Sequence, residues 1–403
     1  MQCPKKIKVL LVYNRSISSF TAYPWMLARN GKCTVDVLSP WNHPVRSSKW
    51  VHEAFVFSET GDLVMNLKDL LRNRSYDAML MVDESTRNLV LPERHDPILS
   101  PFMPFPIDST LNEACMNKAD FHAWCRSHQI PCPEGRSIES LEGARAAAME
   151  IGLPCILKGS TSSGGDRVFV VEDLKQIDAI IEMNPGESNW LVQEFITGEV
   201  GSTSFVAREG KLFATCSSYK HVSQHGGLGP SSIRRFLASS ALEKIAEAVV
   251  KAGSISGVSG FDWMQAGPED FKVIDPHLGR GTTSVVASDR DGVDIGEAFY
   301  ASLRDGERQP RQKGSGLIIW MMPQSLTLVF EGWLFRSLRK ANPLSAKVGV
   351  FWCGTGDGRV LRQTAIPIIF GQIRVLLGAF RQKLFQFKGR SGRRAETEDE
   401  KPG

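Results

Sequence analysis

Residues 153–165 read LPCILKGSTSSGG, an apolar strand that ends at Lys158 and opens directly into a loop of glycine and serine. A lysine at the end of a buried strand can reach into a cleft and bind phosphate as a point charge. Gly164 and Gly165 have no side chains, so the backbone N–H groups of the loop can approach phosphate oxygens closely. The lysine precedes the glycines, which excludes a Walker loop. The alternative is an ordinary hairpin with a glycine-rich turn.

A second apolar strand ends at a candidate hinge. Residues 190–200 read WLVQEFITGEV. The backbone groups of Gln193, Glu194, Phe195 and Ile196 can read an adenine edge, while the two apolar side chains pack on the ring. The same pattern is equally typical of a core strand that runs into a turn.

Two acids occupy adjacent strands joined by a short turn, over 258–265 and 271–278. Asp262 lies mid-strand between apolar residues, and Asp275 comes near the end of the next strand. A buried carboxylate needs a partner, and hard oxygen ligands suit Mg²⁺. The alternative for either acid is a salt bridge to a lysine or arginine.

These three segments follow NKADFHAWCRSHQIPCPEG at 117–135, and together they resemble the ATP-grasp family over Met116 to Ser288. The resemblance implies an α+β fold of two subdomains with ATP bound between them. It also implies phosphorylation of a small-molecule carboxylate by ATP. An amine or similar nucleophile then attacks the acyl phosphate, which makes the expected protein a ligase.

The resemblance also implies residue roles. Lys118 and Lys158 would hold the ATP phosphates, Gln193 to Ile196 would form the adenine hinge, Asp262 and Asp275 would bind Mg²⁺ (or Mn²⁺), and Arg280 would stabilise the transferred phosphoryl group. ATP and Mg²⁺ are thus the expected cofactors.

The chain departs from the family at several positions. The family usually ends its last strand with Glu-x-Asn-Pro-Arg, where this chain has Val273, Asp275 and His277 at the corresponding places. His277 is therefore a catalytic candidate in place of arginine. Glu199, the candidate ribose ligand, comes one residue early, with Val200 at the expected position. These departures leave open a non-catalytic ATP-binding sensor or scaffold.

A basic, glycine-rich segment follows the candidate hinge. Residues 217–235 read SSYKHVSQHGGLGPSSIRR. A basic loop beside a nucleotide cleft suits recognition of a carboxylate substrate. The alternative is a solvated surface loop.

The remaining segments give the domain organisation. The N-terminal strands and helices predict a Rossmann-like α/β domain over 1–105, followed by the ATP-grasp domain over 106–305 and a basic C-terminal extension over 306–403 with a disordered tail. The apolar run at 316–330 is interrupted by polar residues, so we expect buried core there and no membrane span.

Charge is concentrated near the C-terminus. The net charge of +4 over 403 residues is too small to imply nucleic acid or membrane by itself, and nucleic acid is an unlikely partner. From residue 333 to 394, however, there are thirteen Lys and Arg against one acid. An amphipathic basic helix over 366–387 would suit an anionic membrane surface, RNA or an acidic partner, or else would dock on the core.

Eight cysteines without a CxxC pair, and no signal sequence, predict the reducing cytoplasm.

Overall fold

The computed structural model describes residues 6–58, 62–160, 167–187, 189–224, 231–304, 306–330, 334–342, 344–353 and 357–370. Gly164 and Gly165, and most of the predicted basic helix, lie outside these ranges.

The N-terminal unit is a parallel sheet with helices, as the α/β pattern predicts. Its elements are β1 (Ile7–Val12), α1 (Tyr23–Ala28), β2 (Cys33–Pro40), β3 (Ala54–Phe57), α2 (Leu63–Asn73), β4 (Ala78–Met81) and α3 (Glu84–Val90). The strand order is β3-β2-β1-β4, and every pair is parallel. Strand β1 is buried along almost its whole length, because helices cover both faces of a parallel sheet. Sequence analysis misses β3, a short edge strand that is mostly half-buried.

A small antiparallel sheet forms the next unit. The elements are α4 (Leu111–Ala114), α5 (Lys118–Ser127), β5 (Gly135–Ile138), α6 (Leu141–Ile151), β6 (Cys155–Gly159), β7 (Val168–Val171), α7 (Leu174–Glu182) and β8 (Trp190–Glu194). The strand order is β5-β8-β6-β7. Helices α6 and α7 share a core with the sheet. The predicted ends of α6 are confirmed, since Ser140 accepts a hydrogen bond from the N–H of Gly143 and Gly152 ends the helix at φ 96°.

A seven-stranded sheet completes the fold. The elements are β9 (Val200–Arg208), β10 (Lys211–Ser223), β11 (Ser231–Leu237), α8 (Ser240–Gly253), β12 (Gly257–Gly267), β13 (Asp270–His277), α9 (Ile295–Ser302), β14 (Ile318–Met322), α10 (Thr327–Phe330), α11 (Leu334–Lys340) and β15 (Val348–Trp352). The strand order is β13-β12-β9-β10-β11-β14-β15, and only the last pair is parallel. A helical segment over 358–370 follows.

The C-terminal part departs from the predicted boundary at residue 306. Strands β14 and β15 extend the seven-stranded sheet, so this part of the chain belongs to the sheet and is not a separate extension. Strand β14 pairs with β11 and so covers an edge of the sheet that β11 would otherwise leave unpaired. The apolar run at 316–330 is buried core, as predicted. Within the described ranges, no helix combines the length and apolarity needed to cross a bilayer.

The N-terminal unit and the large sheet are packed tightly together. Leu10 of β1 and Phe261 of β12 belong to one hydrophobic core. The hydroxyl of Tyr23 accepts a hydrogen bond from the N–H of Thr282 and donates one to its carbonyl, at 2.6 and 2.9 Å. Gly281 permits this approach, since a Cβ there would lie 2.7 Å from the Tyr23 hydroxyl oxygen. The N-terminal unit therefore contributes directly to the surface beside β13.

Candidate active site

A cleft of about 1240 Å³ lies between the small antiparallel sheet and the seven-stranded sheet. The N-terminal unit and the helical segment over 358–370 form its outer walls. The lining includes Arg15, Glu84, Lys118, Ile156, Lys158, Val168, Val170, Gln193, Glu194, Phe195, Ile196, Ser202, Lys220, Arg234, Asp262, Met264, Ile274, Asp275, His277, Arg280, Thr283 and Gln363. Most of the predicted site residues are thus brought into one cavity.

One side of the cleft is apolar. Ile156 of β6 and Val170 of β7 face Met264 and Ile274 of the large sheet across the cavity. Phe195 and Ile196 lie at its edge, directly after β8. The N–H of Glu194 is committed to the carbonyl of Glu134, at 2.8 Å, so the hinge residues past β8 are the ones placed to read a base edge. An apolar slot with backbone groups at its rim suits an aromatic base.

Two lysines stand beside the apolar slot. Lys158 is buried at the end of β6, and its Nζ donates to Oε1 of Gln193 at 2.7 Å. Gln193 is therefore a side-chain partner of Lys158 as well as part of the hinge. Burial lowers the pKa of Lys158 to about 8, with Lys118 adding to the effect and Asp275 opposing it. Lys118, at the start of α5, has its Nζ 4.0 Å from Oδ1 of Asp275.

The two acids lie side by side, as the sequence predicts. Asp262 and Asp275 are directly paired across β12 and β13. Nζ of Lys220 donates to Oδ2 of Asp262 at 2.5 Å, and Nε2 of His277 lies 3.0 Å from Oδ1. Burial alone would raise the pKa of Asp262, but the neighbouring Lys220 ammonium and His277 outweigh it and hold the pKa below its ordinary value. Asp262 is therefore an anion in the cleft.

The contacts of His277 decide its role. Nη2 of Arg280 lies 2.6 Å from Nδ1 of His277, and because a guanidinium can only donate, Nδ1 must accept. The ring proton is therefore on Nε2, which faces Asp262. In this arrangement His277 positions a carboxylate and has no lone pair to offer a metal.

The acid pair fits a divalent cation. Ligand atoms of Asp262, Asp275 and His277 lie within 4.8 Å of one another. Oδ1 of Asp262 is buried with Nε2 of His277 3.0 Å away, but the pair does not meet hydrogen-bond geometry, so the carboxylate keeps lone pairs for a cation. With His277 excluded by its tautomer, two hard carboxylates remain, which suits Mg²⁺ bound with phosphate oxygens and water.

A β-bulge explains the missing family glutamate. The register shifts between Asp262 and Trp263, so that Trp263 pairs with Val273 and Ile274 is the extra residue. Val273 then faces the hydrophobic core, whereas Ile274 and Asp275 face the cleft. Position 273 is therefore outside the site in this chain.

The predicted role of Glu199 as a ribose ligand is corrected by its position outside the cleft. It does not line the cleft, although Gly198 and Val200 on either side do. Its carboxylate pairs with Nη2 of Arg235 at 2.9 Å. Side chains alternate in an extended segment, so Glu199 points away from the cavity and is not placed to bind a ribose there.

The basic segment over 217–235 is mostly strand, which also differs from the predicted loop. Its two ends belong to β10 and β11, and only residues 225–230, including the glycines, lie outside the described ranges. Strand pairing places Lys220 opposite Arg234, and both line the cleft. The segment thus contributes rigid cations to the cleft.

Sequence analysis misses the contribution of the N-terminal unit. Glu84 begins α3 and lines the cleft, where its Oε2 lies 3.5 Å from Nη2 of Arg280. Asp83 caps α3 and accepts hydrogen bonds from the N–H groups of Asn14 and Arg15. The available signal is that two acids follow β4 after a single valine, since functional groups gather at the carboxyl ends of parallel strands.

The cleft between the small sheet and the seven-stranded sheet combines an apolar slot, two lysines and two acids, a combination that suits a nucleotide. A family model of the ATP-grasp domain matches residues 115–276. Residues 115–276 therefore form an ATP-grasp domain, as the resemblance predicts.

Relatives and solved structures show the same similarity. Formate-dependent phosphoribosylglycinamide formyltransferase of Wolinella succinogenes is 29% identical over 135 residues, which are 32% of this chain and 35% of that protein. The large chain of carbamoyl phosphate synthase from Thermus thermophilus is 31% identical over 26% of this chain and 11% of that protein. The chain thus spans about a third or less of the length of these relatives.

Two solved structures cover more of the chain. Biotin carboxylase of Campylobacter jejuni superimposes with a TM-score of 0.58 at 16% identity, over 76% of this chain and 73% of that chain. N5-carboxyaminoimidazole ribonucleotide synthetase of Thermotoga maritima gives 0.56 at 14% identity, over 77% and 79%. At such identity the likeness concerns the fold alone, and it extends beyond the ATP-grasp domain.

Proposed function

We propose that the protein is an ATP-dependent ligase that joins a small-molecule carboxylate to an amine through an acyl phosphate. One observation carries the proposal. Nζ of Lys158, on the small sheet, lies 3.5 Å from the carbonyl oxygen of Ile274, the neighbour of Asp275 on the large sheet. A phosphate-binding cation and a pair of metal-binding acids therefore meet in the cleft. The relatives' names, formyltransferase and carbamoyl phosphate synthase, agree with chemistry on small carboxylates.

The reaction divides into two steps. A carboxylate oxygen of the substrate attacks the γ-phosphorus, the bond to the β–γ bridging oxygen breaks, and ADP leaves. The amine nitrogen then attacks the acyl carbon, phosphate leaves with its bonding electrons, and the nitrogen loses a proton. In this mechanism Lys118 and Lys158 hold the phosphates, and Arg280, which lines the same cleft, stabilises the charge on the transferred group.

Asp262 and Asp275 would hold Mg²⁺. The ion, when bound, neutralises phosphate charge and aligns the phosphoryl group for transfer. The chain's own residues keep Asp262 ionised and oriented, because Lys220 and His277 contact it from two sides.

The test is ADP formation with panels of carboxylates and amines. We expect ADP to form only when both substrates and Mg²⁺ are present. Lys158→Ala should weaken ATP binding roughly ten- to a hundredfold, because a charge-assisted contact is worth about 1.5–3 kcal/mol. ATP binding without substrate-stimulated ADP formation would favour a non-catalytic sensor instead.

We also propose that the C-terminal part binds an anionic membrane surface, on the cytoplasmic side. Phe335 and Leu344 are 78% and 93% exposed, and the basic residues Arg336 and Lys347 lie near them in sequence. Large exposed apolar side chains beside basic ones suit the interface of anionic lipids. The basic residues after 370 lie outside the described ranges.

Vesicle sedimentation tests the membrane proposal. The full chain should sediment with phosphatidylglycerol-containing vesicles, and not with phosphatidylcholine alone. Phe335→Ser with Leu344→Ser should reduce sedimentation, whereas Met149→Ser, which changes an exposed methionine on α6, should not. Equal binding by both variants would contradict the proposal.

A further inference from the structure

A row of polar side chains crosses the cleft face of the large sheet. Strand register places Asp275 beside Asp262, Asp262 beside Ser202, and Ser202 beside Ser218. Arg234 on β11 closes the row and donates to the hydroxyls of both serines. The row therefore has two carboxylates at one end and a guanidinium at the other.

Arg234 is a buried cation with neutral partners. The residue is 3% exposed. Nη1 donates to Oγ of Ser202 at 2.7 Å and to Oγ of Ser218 at 3.1 Å, and Nη2 donates to Oγ1 of Thr283 at 3.1 Å. Its Nε is buried without a hydrogen-bond partner. No carboxylate of the described residues forms an ion pair with Arg234, although its neighbours Lys220 and Arg235 each have one.

Such a charge is costly to bury. Burial lowers the pKa of Arg234 to about 10, with Asp262 opposing this effect. A guanidinium has five N–H donors, and the three hydroxyl contacts use three of them. Two donors remain, one on Nη2 and one on the buried Nε, and Arg234 lines the cleft, so the residue keeps unused donor capacity beside it. The cleft side of Arg234 is thus chemically complementary to an oxyanion.

We propose that Arg234, with the hydroxyls of Ser202 and Thr283, binds the carboxylate group that accepts the phosphoryl group. This inference rests on the proposed ligase function. Ser202 is the register neighbour of Asp262, so a carboxylate bound here lies one strand from the candidate metal ligands. Both the oxyanion and the γ-phosphate are then held in one cleft, which Arg234 and the two lysines line together.

Arg235 provides a matched control. It follows Arg234 on β11, so its side chain points to the opposite face of the strand. There it pairs with Glu199 and lies over the ring of Tyr219 at 4.2 Å. Arg235→Gln removes the same charge from the same strand without touching the cleft row.

The first experiment measures anion binding by the full chain. Thermal unfolding is followed with Mg²⁺ and ADP while potassium acetate or bicarbonate replaces potassium chloride at constant ionic strength. We expect the unfolding midpoint to rise with acetate in the parent and in Arg235→Gln, and not in Arg234→Gln. A parent without this rise, or an Arg234→Gln protein that keeps it, would overturn the proposal.

A second variant covers the case in which Arg234→Gln does not fold. Arg234→Lys keeps the buried charge but loses the fork of donors, so the acetate concentration for half-maximal effect should increase severalfold. If Arg234→Lys keeps the half-maximal acetate concentration of the parent, the proposed carboxylate site at Arg234 is contradicted.

Turnover measurements show whether the anion bound at Arg234 belongs to the acyl-donating carboxylate or to the amine substrate. With a substrate pair that yields ADP, Arg234→Gln should raise KM for the acyl-donating carboxylate roughly tenfold or more and leave KM for the amine within about twofold. A selective change in KM for the amine would place the anion on the other substrate and overturn the proposal. If the parent forms no ADP at all, the ligase function fails, while the acetate experiment still decides whether the anion subsite exists.

Discussion

Oε2 of Glu84 lies 3.5 Å from Nη2 of Arg280, across the junction between the N-terminal unit and the segment that follows β13. Arg280 also donates to His277, which in turn faces Asp262. A line of polar contacts thus connects the N-terminal unit to the candidate metal ligand. The position of Asp262 therefore depends on residues from both parts of the chain.

The first prediction concerns His277. Glutamine can accept from Arg280 through its oxygen and donate to Asp262 through its nitrogen, whereas leucine can do neither. We expect His277→Gln to keep Mn²⁺ affinity within about threefold and His277→Leu to lose roughly tenfold. Mn²⁺ binding with ADP, measured by electron paramagnetic resonance, checks this. If His277→Gln loses as much affinity as His277→Leu, the imidazole itself binds the metal.

The second prediction concerns pH. Lys158 has a pKa of about 8, lowered by burial, so it is largely protonated at pH 7 and largely neutral at pH 9. Only the protonated form attracts phosphate, so ATP affinity should fall by up to about tenfold between these pH values. Calorimetry in buffers of different ionisation enthalpy should show proton uptake on ATP binding above pH 8. Lys158→Arg stays charged, so its ATP affinity should not fall between pH 7 and pH 9. An equal fall in ATP affinity in this variant would assign the titration to another group.

The third prediction concerns the acid pair. Asp262→Asn and Asp275→Asn each remove a carboxylate that Mg²⁺ requires, so both should abolish Mg²⁺-dependent ADP formation while ATP still binds. Asp270→Asn is the control, because Asp270 lies on the same strand but is exposed and paired with Lys272 at 3.4 Å. Normal turnover by both cleft variants would exclude the ligase mechanism.

The fourth prediction concerns Val273. The side chain is 2% exposed and packs in the main hydrophobic core, so Val273→Glu would bury a carboxylate without a partner. The free energy of unfolding should fall by more than about 2 kcal/mol, and no new activity should appear. Ile274→Glu, at the neighbouring position that faces the cleft, should cost less in urea denaturation. A larger loss of unfolding free energy in Ile274→Glu than in Val273→Glu would mean that Val273, and not Ile274, faces the cleft.

Much of the fold could be predicted from the sequence. Residues 155–159 form a strand that ends near Lys158 because an apolar run meets glycine and serine, and both signals are local. Asp262 and Asp275 could be paired from sequence because a short turn joins their strands. Helix ends at Ser140 and Gly152 follow from side-chain capping and from glycine's freedom at positive φ.

Only the tertiary structure decides which of two neighbouring residues faces the cleft. The bulge at Ile274 directs Val273 to the core, and strand pairing separates Arg234 from Arg235. Sequence likewise offers no signal that Glu84 meets Arg280, since the two residues are 196 positions apart in the chain. The sequence by itself determines which segments form strands and which carry the chemistry, because those signals are local. The face, register and long-range partner of each side chain depend on contacts that exist only once the sheets have assembled.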